Sequence, residues 1–467
     1  MTTPEPGGRE GRWIWAALAL GLVFRLVVLT QTTGLGTVIV DEQHYAQLAR
    51  TLVQDGVYGM SATTPTSIRP PLFPGMVAAL WSVTGVDHFQ IVRVVNIVLA
   101  GLTTWLVYLL GCELFTPRVG RLSAVVFWLY PSLIFFDFTI LTETLFTCVF
   151  VGAILLLARL VRRPGAGVAL GAGAVLGLSA LTRSVIWPVP LVLCPALVLL
   201  IPGRLTTRVG LAALVLAGHV VVLSPWAIRN TKLQGVVTVV DTMGGLNLRM
   251  GNYEHTPDDR MWDAVNLQGE QNWAWALRED FPGRTQFTEG DKDKWAQSRA
   301  LRYMAENPAI TLRRSVIKVS DFFGLEREFA AGIGQGLFAP PRWFGVLASV
   351  VIIVVYVAVV LIGVAGAWLT PAGWREHVTV LLPLLGVLGG HALAFGHSRY
   401  HMPLMPVLGV FAVALVTHGW PAIRRAAIWQ RAGAGVCAAA LLAIWAYQVL
   451  VVDAERIRGL LQQVIGS

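Results

Sequence analysis

Acidic and basic side chains stand at the ends of several strongly apolar segments of this sequence. Asp41 and Glu42 are adjacent carboxylates that open a polar insert after the first apolar segment. Other acids and bases occupy similar places: Asp137, Glu143, Arg69, Arg93, Arg183 and Arg399. A carboxylate can remove a proton from a hydroxyl group, and a planar guanidinium group can hold two phosphate oxygens at once. The set therefore suits two tasks: it can bind an anionic phosphate group, and it can remove a proton from a nucleophile next to that group.

Each of these residues also has a simpler interpretation. An aspartate at a helix start commonly caps the helix by accepting free backbone N–H groups. An arginine at the end of a membrane span commonly extends its charged group to the lipid headgroups. The chemical interpretation is favoured because the topology derived below places these acids and bases on the same face.

Two helices are predicted to carry the first of these residues. From Asp41 to Gln54 an apolar stripe recurs at helical spacing, with polar residues on the other side; the stripe comprises Tyr45, Leu48, Ala49, Leu52 and Val53. A second apolar run, Pro71 to Gly85, follows Arg69. Its length of about 15 residues reaches only about 22 Å as a helix, short of a hydrocarbon core of about 30 Å. Both helices are therefore predicted to lie on the membrane surface.

The composition places the whole chain in a membrane. Of its 467 residues 55% are hydrophobic and only 13% are charged, and the mean hydropathy is +0.63. The net charge of +9 is interpreted as a topology signal, because basic residues collect in cytoplasmic loops, and no nucleic-acid partner is predicted. The four cysteines lie in apolar stretches without the spacing of a disulfide framework or a zinc site.

The fold class predicted is an all-α polytopic membrane protein. It has about 11 transmembrane helices, two juxtamembrane helices in the first outer loop and a small outer-face domain. The predicted spans are residues 13–30, 89–111, 119–137, 142–161, 166–182, 185–202, 209–226, 343–368, 377–395, 402–419 and 433–452. With run 71–85 on the surface, the arginine-rich short loops all fall on the side of the N-terminus, so the N-terminus is predicted to be cytoplasmic.

Three parts of the chain follow from this topology. Residues 1–228 form an N-terminal transmembrane module whose first outer loop is 31–88, residues 229–341 form a large extracytoplasmic loop, and residues 342–467 form a C-terminal transmembrane module. The large loop is predicted to contain helices from about Lys292 to Glu306 and from about Ala309 to Phe323, separated by Asn307-Pro308. Whether this loop caps a site or only elaborates the surface stays open.

Four short motifs follow one another along the chain: Asp41-Glu42-x-x-Tyr45, Arg69-Pro70-Pro71-Leu72-Phe73-Pro74, Leu141-Thr142-Glu143 and Arg399-Tyr400-x-x-Pro403-x-x-Pro406. Their order resembles that in the GT-C superfamily of integral-membrane glycosyltransferases. The nearest branch contains the protein O-mannosyltransferases and the aminoarabinose transferase of lipid A. Many relatives carry aspartate where this chain has Glu143, and some carry lysine where it has Arg69.

The resemblance implies transfer of a hexosyl or pentosyl group from a polyprenyl-phosphate-linked donor. The acceptor would be a lipid, glycan or protein on the extracytoplasmic face of the cell membrane. Direct displacement would invert the anomeric centre, with Asp41 as general base and Glu42 and Glu143 as further catalytic carboxylates. The resemblance implies phosphate binding by Arg69, Arg183 and Arg399. The residues expected to contact substrate are His44, Tyr45, Asp137 and Tyr400.

No cofactor is required by this mechanism. A divalent cation near the acids of the first loop stays open, and His44, His397 and His401 could contribute ligands. The alternative function is that of a multi-pass transporter or a lipid-handling protein without transferase chemistry. A transferase needs the carboxylates of Asp41 and Glu143 in one outer cavity, whereas a transporter needs charges near the membrane midplane, and no internal repeat is evident.

Overall fold

The computed structural model describes residues 8–258, 261–370 and 373–454, which form nineteen α-helices and one two-stranded sheet. The first ten helices are α1 (Gly8–Gln31), α2 (Val40–Asp55), α3 (Leu72–Thr84), α4 (Phe89–Leu114), α5 (Pro117–Trp128), α6 (Pro131–Asp137), α7 (Glu143–Arg162), α8 (Ala166–Thr182), α9 (Pro190–Leu200) and α10 (Leu205–Gln234). The others are α11 (Gly244–Met250), α12 (Trp275–Asp280), α13 (Glu289–Glu306), α14 (Pro308–Phe322), α15 (Glu328–Gly334), α16 (Arg342–Leu369), α17 (Trp374–Leu393), α18 (Met405–Arg425) and α19 (Ile428–Tyr447). Strands β1 (Gly59–Ser61) and β2 (Thr64–Pro65) form a short antiparallel hairpin.

The predicted class, an all-α polytopic membrane protein, is confirmed. Eight helices in the described part of the chain are long and apolar enough to cross a membrane: α1, α4, α7, α10, α16, α17, α18 extended back to Ser398, and α19 extended to Val452. Helices α5 and α6 pass the same test only as a pair bent by 58°. Helices α8 and α9 are apolar but shorter. Each predicted span thus coincides with an apolar helix or helix pair, while the count of 11 stays a prediction.

The two predicted helices of the first loop are present as α2 and α3. Helix α2 ends at Gly56, whose φ of 69° is left-handed, a conformation that glycine adopts without steric cost. Tyr45, Leu48 and Ala49 of the predicted stripe are buried. Glu42 is buried as well, although the spacing places it among the polar residues opposite the stripe.

Helices α2 and α3 belong to the main hydrophobic core and do not form a separate layer. Tyr45 packs edge-to-face against Phe73 of α3, with ring centroids 5.3 Å apart, and both lie in the same core cluster as residues of α7, α8 and α18. Helix α7 lies deep in this core, because most of its residues are buried. Helices α8 and α10 approach closely at Gly173, where an added Cβ would lie 1.9 Å from the carbonyl oxygen of Val215, as small residues allow between membrane helices.

Helix α10 extends into the long segment that is predicted to start at residue 229. It continues to Gln234, because no glycine or proline occurs between residue 229 and Gly235. The predicted helices of this segment are confirmed as α13 and α14. Met250, Tyr253 and Ala264 form a small core of their own, against which Phe395 of the C-terminal module packs.

Candidate active site

Five of the predicted site residues form one continuous network of opposite charges. Asp41 Oδ1 accepts from Arg69 Nη2 at 2.5 Å, and Asp41 Oδ2 accepts from Arg399 Nη2 at 2.6 Å. The Nε of Arg399 lies 3.0 Å from Glu143 Oε1, which also accepts from Arg183 Nη2 at 2.6 Å. The charged groups therefore alternate in the order Arg69, Asp41, Arg399, Glu143, Arg183, and this set is called the charge network below.

Each member of the network stands at a helix end. Asp41 is in the first turn of α2, Glu143 is the first residue of α7, and Arg183 directly follows α8. Arg69 precedes the prolines that lead into α3. Arg399 lies in a 3-10 turn, Ser398–Leu404, between α17 and α18, where its backbone N–H donates to the His397 ring at 3.2 Å. The helix bundle thus brings five helix ends together in one place.

Electrostatics at the network favour an anionic ligand. Three guanidinium groups face two carboxylates, which leaves one positive charge. Burial would raise the pKa of Asp41, but the guanidinium groups of Arg399 and Arg69 outweigh it and hold that pKa well below its ordinary value. The carboxylate is therefore ionised and bound to both arginines when no ligand is present. It cannot take up a proton readily until at least one of them is withdrawn.

Unused hydrogen-bonding atoms remain inside the network. Glu143 is 1% exposed, and its Oε2 is buried without a hydrogen-bond partner among the residues that the structure describes, as is the Nε of Arg69. Buried polar atoms are usually paired. Such free positions in a cluster of charges are places where a polar ligand can bind.

Aromatic side chains line the network. The guanidinium carbon of Arg69 lies 5.5 Å from the Tyr45 ring centroid, and those of Arg183 and Arg399 lie 5.5 and 5.7 Å from the Tyr400 ring. His44 Nδ1 is 3.3 Å from Arg69 Nη2. Three of the four residues predicted to contact substrate, His44, Tyr45 and Tyr400, are thus placed beside the charged groups, although their roles stay predictions.

Glu42 and Asp137 have other partners. Glu42 Oε2 accepts from the backbone N–H groups of Val38 and Ile39 at 3.0 and 3.1 Å, and Oε1 accepts from Ile140 N at 2.9 Å. Asp137 pairs with Arg25 at 2.8 Å and accepts from Thr144 at 3.3 Å. Neither carboxylate bonds to the network, so the geometry favours structural roles for both over the predicted catalytic and substrate-binding ones.

The histidines near Arg399 bind different partners. His401 is fully buried, with Nε2 3.1 Å from Glu326 Oε1 and Nδ1 2.6 Å from the carbonyl oxygen of Phe322. Burial and the neighbouring Arg399 lower the pKa of His397 to about 3, so this ring is uncharged at neutral pH. Among the described residues, no group of three or more His, Cys, Asp or Glu side chains could hold a metal ion, and the question of a divalent cation stays open.

Sequence reasoning missed a third carboxyl group close to the network, that of Asp241. This residue lies in the segment between α10 and α11 and interacts electrostatically with Arg69. Burial raises its pKa to about 6, although hydrogen bonds from the Ser184 side chain and the Met243 backbone act in the opposite direction. Segment 235–243 has neither helical nor strand periodicity, so only its position just before Met243-Gly244-Gly245 could have drawn attention to it.

A buried lysine joins the long segment to the Arg399 turn. Lys318 of α14 is 0% exposed, and its amine donates to Asn252 Oδ1 at 2.9 Å and to the carbonyl oxygen of Leu393 at 2.8 Å. Asn252 Nδ2 donates to the same carbonyl at 2.8 Å. This contact, called the Lys318 clamp below, fixes the end of α17 six residues before Arg399.

Part of this chain is similar to a known protein family. Residues 68–228 match the family described as dolichyl-phosphate-mannose-protein mannosyltransferase. The match confirms the resemblance to GT-C membrane glycosyltransferases that the motifs indicated. The matched range contains Arg69, Glu143 and Arg183, whereas Asp41 and Arg399 lie outside it. No curated protein matches the chain significantly.

Three solved structures are similar to this chain over most of its length. ArnT from Cupriavidus metallidurans in the apo state has 17% sequence identity and a TM-score of 0.42, over 87% of this chain and 77% of that chain. The same protein bound to undecaprenyl phosphate has 16% sequence identity and a TM-score of 0.42, over 84% of this chain and 77% of that chain. A third structure is the archaeal oligosaccharyltransferase AglB from Archaeoglobus fulgidus in complex with an inhibitory peptide and a dolichol-phosphate. It has 14% sequence identity and a TM-score of 0.47, over 94% of this chain and 55% of that chain.

Proposed function

We propose that this protein transfers a sugar from a polyprenyl-phosphate donor to an acceptor on the extracytoplasmic face of the cell membrane. The observation that carries the proposal is the charge network, which combines two carboxylates with three arginines at the ends of apolar helices. Family resemblance over residues 68–228 supports the same donor class, because that family is described by its dolichyl-phosphate-mannose donor. The acceptor is a lipid, a glycan or a protein.

Donor binding would convert Asp41 from an ion-pair partner into a base. The phosphate of the donor takes the place of the Asp41 carboxylate on Arg399 and Arg69, because a phosphate presents oxygens in the geometry that guanidinium groups bind. Asp41 stays buried but loses the charges that depress its pKa, so that pKa rises towards the range of a useful base. In this mechanism acceptor deprotonation waits until the donor is bound.

The transfer itself is a single inverting displacement. Asp41 takes the proton of the acceptor hydroxyl group while the acceptor oxygen forms a bond to the anomeric carbon. The bond between that carbon and the phosphate oxygen breaks, and its electron pair stays on the departing polyprenyl phosphate. Arg399, Arg183 and Arg69 stabilise the negative charge that grows on the phosphate. Glu143 holds Arg399 and Arg183 in place.

A transfer assay tests this proposal. Purified protein is mixed with undecaprenyl phosphate carrying a radiolabelled hexose or pentose and with membranes from a strain that lacks the gene. We expect label to move from the lipid into the membrane glycan or protein fraction, and Asp41→Asn to abolish this transfer while undecaprenyl phosphate still binds. Full activity of Asp41→Asn would remove Asp41 from the mechanism.

The alternative function as a transporter receives less support from the geometry. Asp41 and Glu143 are bridged by a single residue, Arg399, as a shared transferase site requires. The intramembrane ion pair of Arg25 and Asp137 is 1–2% exposed and also bonded to the carbonyl oxygen of Trp128 at 2.9 Å. Such a fully bonded pair is suited to holding helices together.

A further inference from the structure

Asp241 is held at the edge of the charge network by fixed neighbours on both sides. The carbonyl oxygen of Val240 accepts from Trp226 Nε1 at 2.8 Å and from Asn230 Nδ2 at 2.9 Å. The backbone N–H of Thr242 donates to the carbonyl oxygen of Ser67 at 3.0 Å. The residue between them therefore cannot shift independently of α10 or of the segment that leads to Arg69.

The carboxyl group of Asp241 lies close to Arg69 and to Ser184, the residue that follows Arg183. It accepts from Met243 N at 3.2 Å, and the nearby hydroxyl group of Ser184 also favours its charged form. Arg69 is the guanidinium group that acts on it electrostatically, and Asp293 is the other acid nearby. A carboxylate has about four acceptor positions, so two of them stay available, and Asp241 is only partly buried.

We propose that Asp241 binds hydroxyl groups of the donor sugar and thereby helps to select which sugar is transferred. This inference rests on the proposed function, since it assumes that Arg69, Arg183 and Arg399 hold the phosphate. A sugar ring joined to that phosphate stands next to it, and Asp241 lies beside Arg69 and beside the neighbour of Arg183. Among the described residues Asp241 has no direct ion pair with an arginine, which distinguishes it from Asp41 and Glu143 of the network.

The chemistry of such a contact gives selectivity. A carboxylate that is partly desolvated accepts strongly from sugar hydroxyl groups, and it loses that hydrogen bond when the hydroxyl group is absent or points elsewhere. Asp41 is less suited to this task, because arginines occupy both of its oxygens. Glu143 is less suited because Arg183 and Arg399 both bind its Oε1 and the side chain is only 1% exposed. A site with one free carboxylate can therefore distinguish sugars by the orientation of a hydroxyl group.

Binding of lipids with and without a sugar tests this role. Purified full-length protein in lipid nanodiscs is titrated with undecaprenyl phosphate, undecaprenyl phosphate mannose and undecaprenyl phosphate arabinose. We expect one sugar-bearing lipid to bind more tightly than the bare lipid. Asp241→Asn should weaken binding of that lipid about tenfold, as the loss of one hydrogen bond to a charged group does, and leave bare undecaprenyl phosphate within about twofold.

A matched control is Asp258→Asn. Asp258 lies in the same long segment, but its exposed carboxylate pairs with Arg313 at 2.8 Å, so this variant should bind all three lipids as the wild type does. Unchanged binding of the preferred lipid to Asp241→Asn would overturn the inference. Equal weakening for bare and sugar-bearing lipids would also overturn it, because Asp241 would then act only through Arg69. A wild-type protein that binds none of the lipids would instead overturn the proposed function.

Discussion

Asp41 lies in the first turn of α2, where an aspartate often serves only as a cap, and the structure assigns that task to its neighbour. Glu42, the third residue of the helix, reaches back to the backbone N–H of Ile39, as the carboxylate of a capping box does. Asp41 is left to bond Arg69 and Arg399. Two adjacent acids of similar chemistry therefore differ in role, because one side chain turns to the backbone and the other to the arginines.

Replacing Arg399 by lysine should weaken donor binding. Arg399 uses Nη2 for Asp41 and Nε for Glu143, and a single ammonium group cannot copy that two-sided geometry. Arg399→Lys is expected to cost about 1 to 3 kcal/mol in the binding of undecaprenyl phosphate, measured by titration of the purified protein. The matched control is Arg50→Lys, since Arg50 pairs with Asp87 on the exposed side of α2. Equal affinities for Arg399→Lys and wild type would mean that Arg69 or Arg183 is the main phosphate ligand.

The titration of Asp241 should appear in the pH dependence of stability. Its pKa of about 6 in the folded protein exceeds the value of about 3.9 for an unfolded chain. Between these values the folded state binds more protons, so this group stabilises the fold as pH falls from about 7 towards 4. The difference in Tm between wild type and Asp241→Asn should therefore become more positive from pH 7 to pH 5, as followed by tryptophan fluorescence. A difference that does not vary with pH would contradict this expectation.

At the scale of elements, the network depends on how helix ends are held together. The Arg399 turn is fixed on one side by the Lys318 clamp and on the other by His401, which binds the carbonyl oxygen of Phe322 in α14. Helix α14 thus contacts the turn before and after Arg399. The long segment is therefore part of the support of the site.

A methyl group at Gly396 should disturb this support. An added Cβ there would lie 1.9 Å from the carbonyl oxygen of Lys318, so either the turn or α14 must move. Gly396→Ala is expected to cost about 1 to 3 kcal/mol of stability, as overpacking does, and also to weaken binding of undecaprenyl phosphate. Gly389→Ala is the control, because a Cβ at that position of α17 has open space and alanine favours helix. Wild-type behaviour of Gly396→Ala would show that α14 does not set the position of the turn.

At the scale of the whole molecule, the main question is how many times the chain crosses the membrane. The described helices supply eight clear candidates, a bent pair and shorter apolar helices. The bend between α5 and α6 matters most, because a pair bent by 58° can be one broken span or a re-entrant loop. The two arrangements place the C-terminal end of α7 on opposite sides of the membrane relative to the end of α4.

Reporter fusions can decide between these arrangements. Fusions after Leu114 and after Arg163 are both expected to report the cytoplasm, because the bent pair and α7 then cross the membrane once each and the arginine-rich loops stay inside. A cytoplasmic signal after Leu114 with an external signal after Arg163 would identify the pair as a re-entrant loop. External signals from both fusions would reverse the orientation of the whole topology.

The sequence by itself determined the class of the protein, most helices and the identity of the network residues. Hydropathy and the spacing of apolar residues act locally, so helices such as α2, α13 and α14 could be predicted from their own residues. Motif order pointed to Asp41, Arg69, Glu143 and Arg399, and the position of a charge between two apolar segments pointed to Arg183. Only the tertiary structure decided that these five bond in one alternating chain, that Glu42 caps α2 and that Asp241 and Lys318 lie beside or beneath the site. Those contacts join residues as much as 358 positions apart, and side-chain direction across such distances depends on packing that no local pattern records.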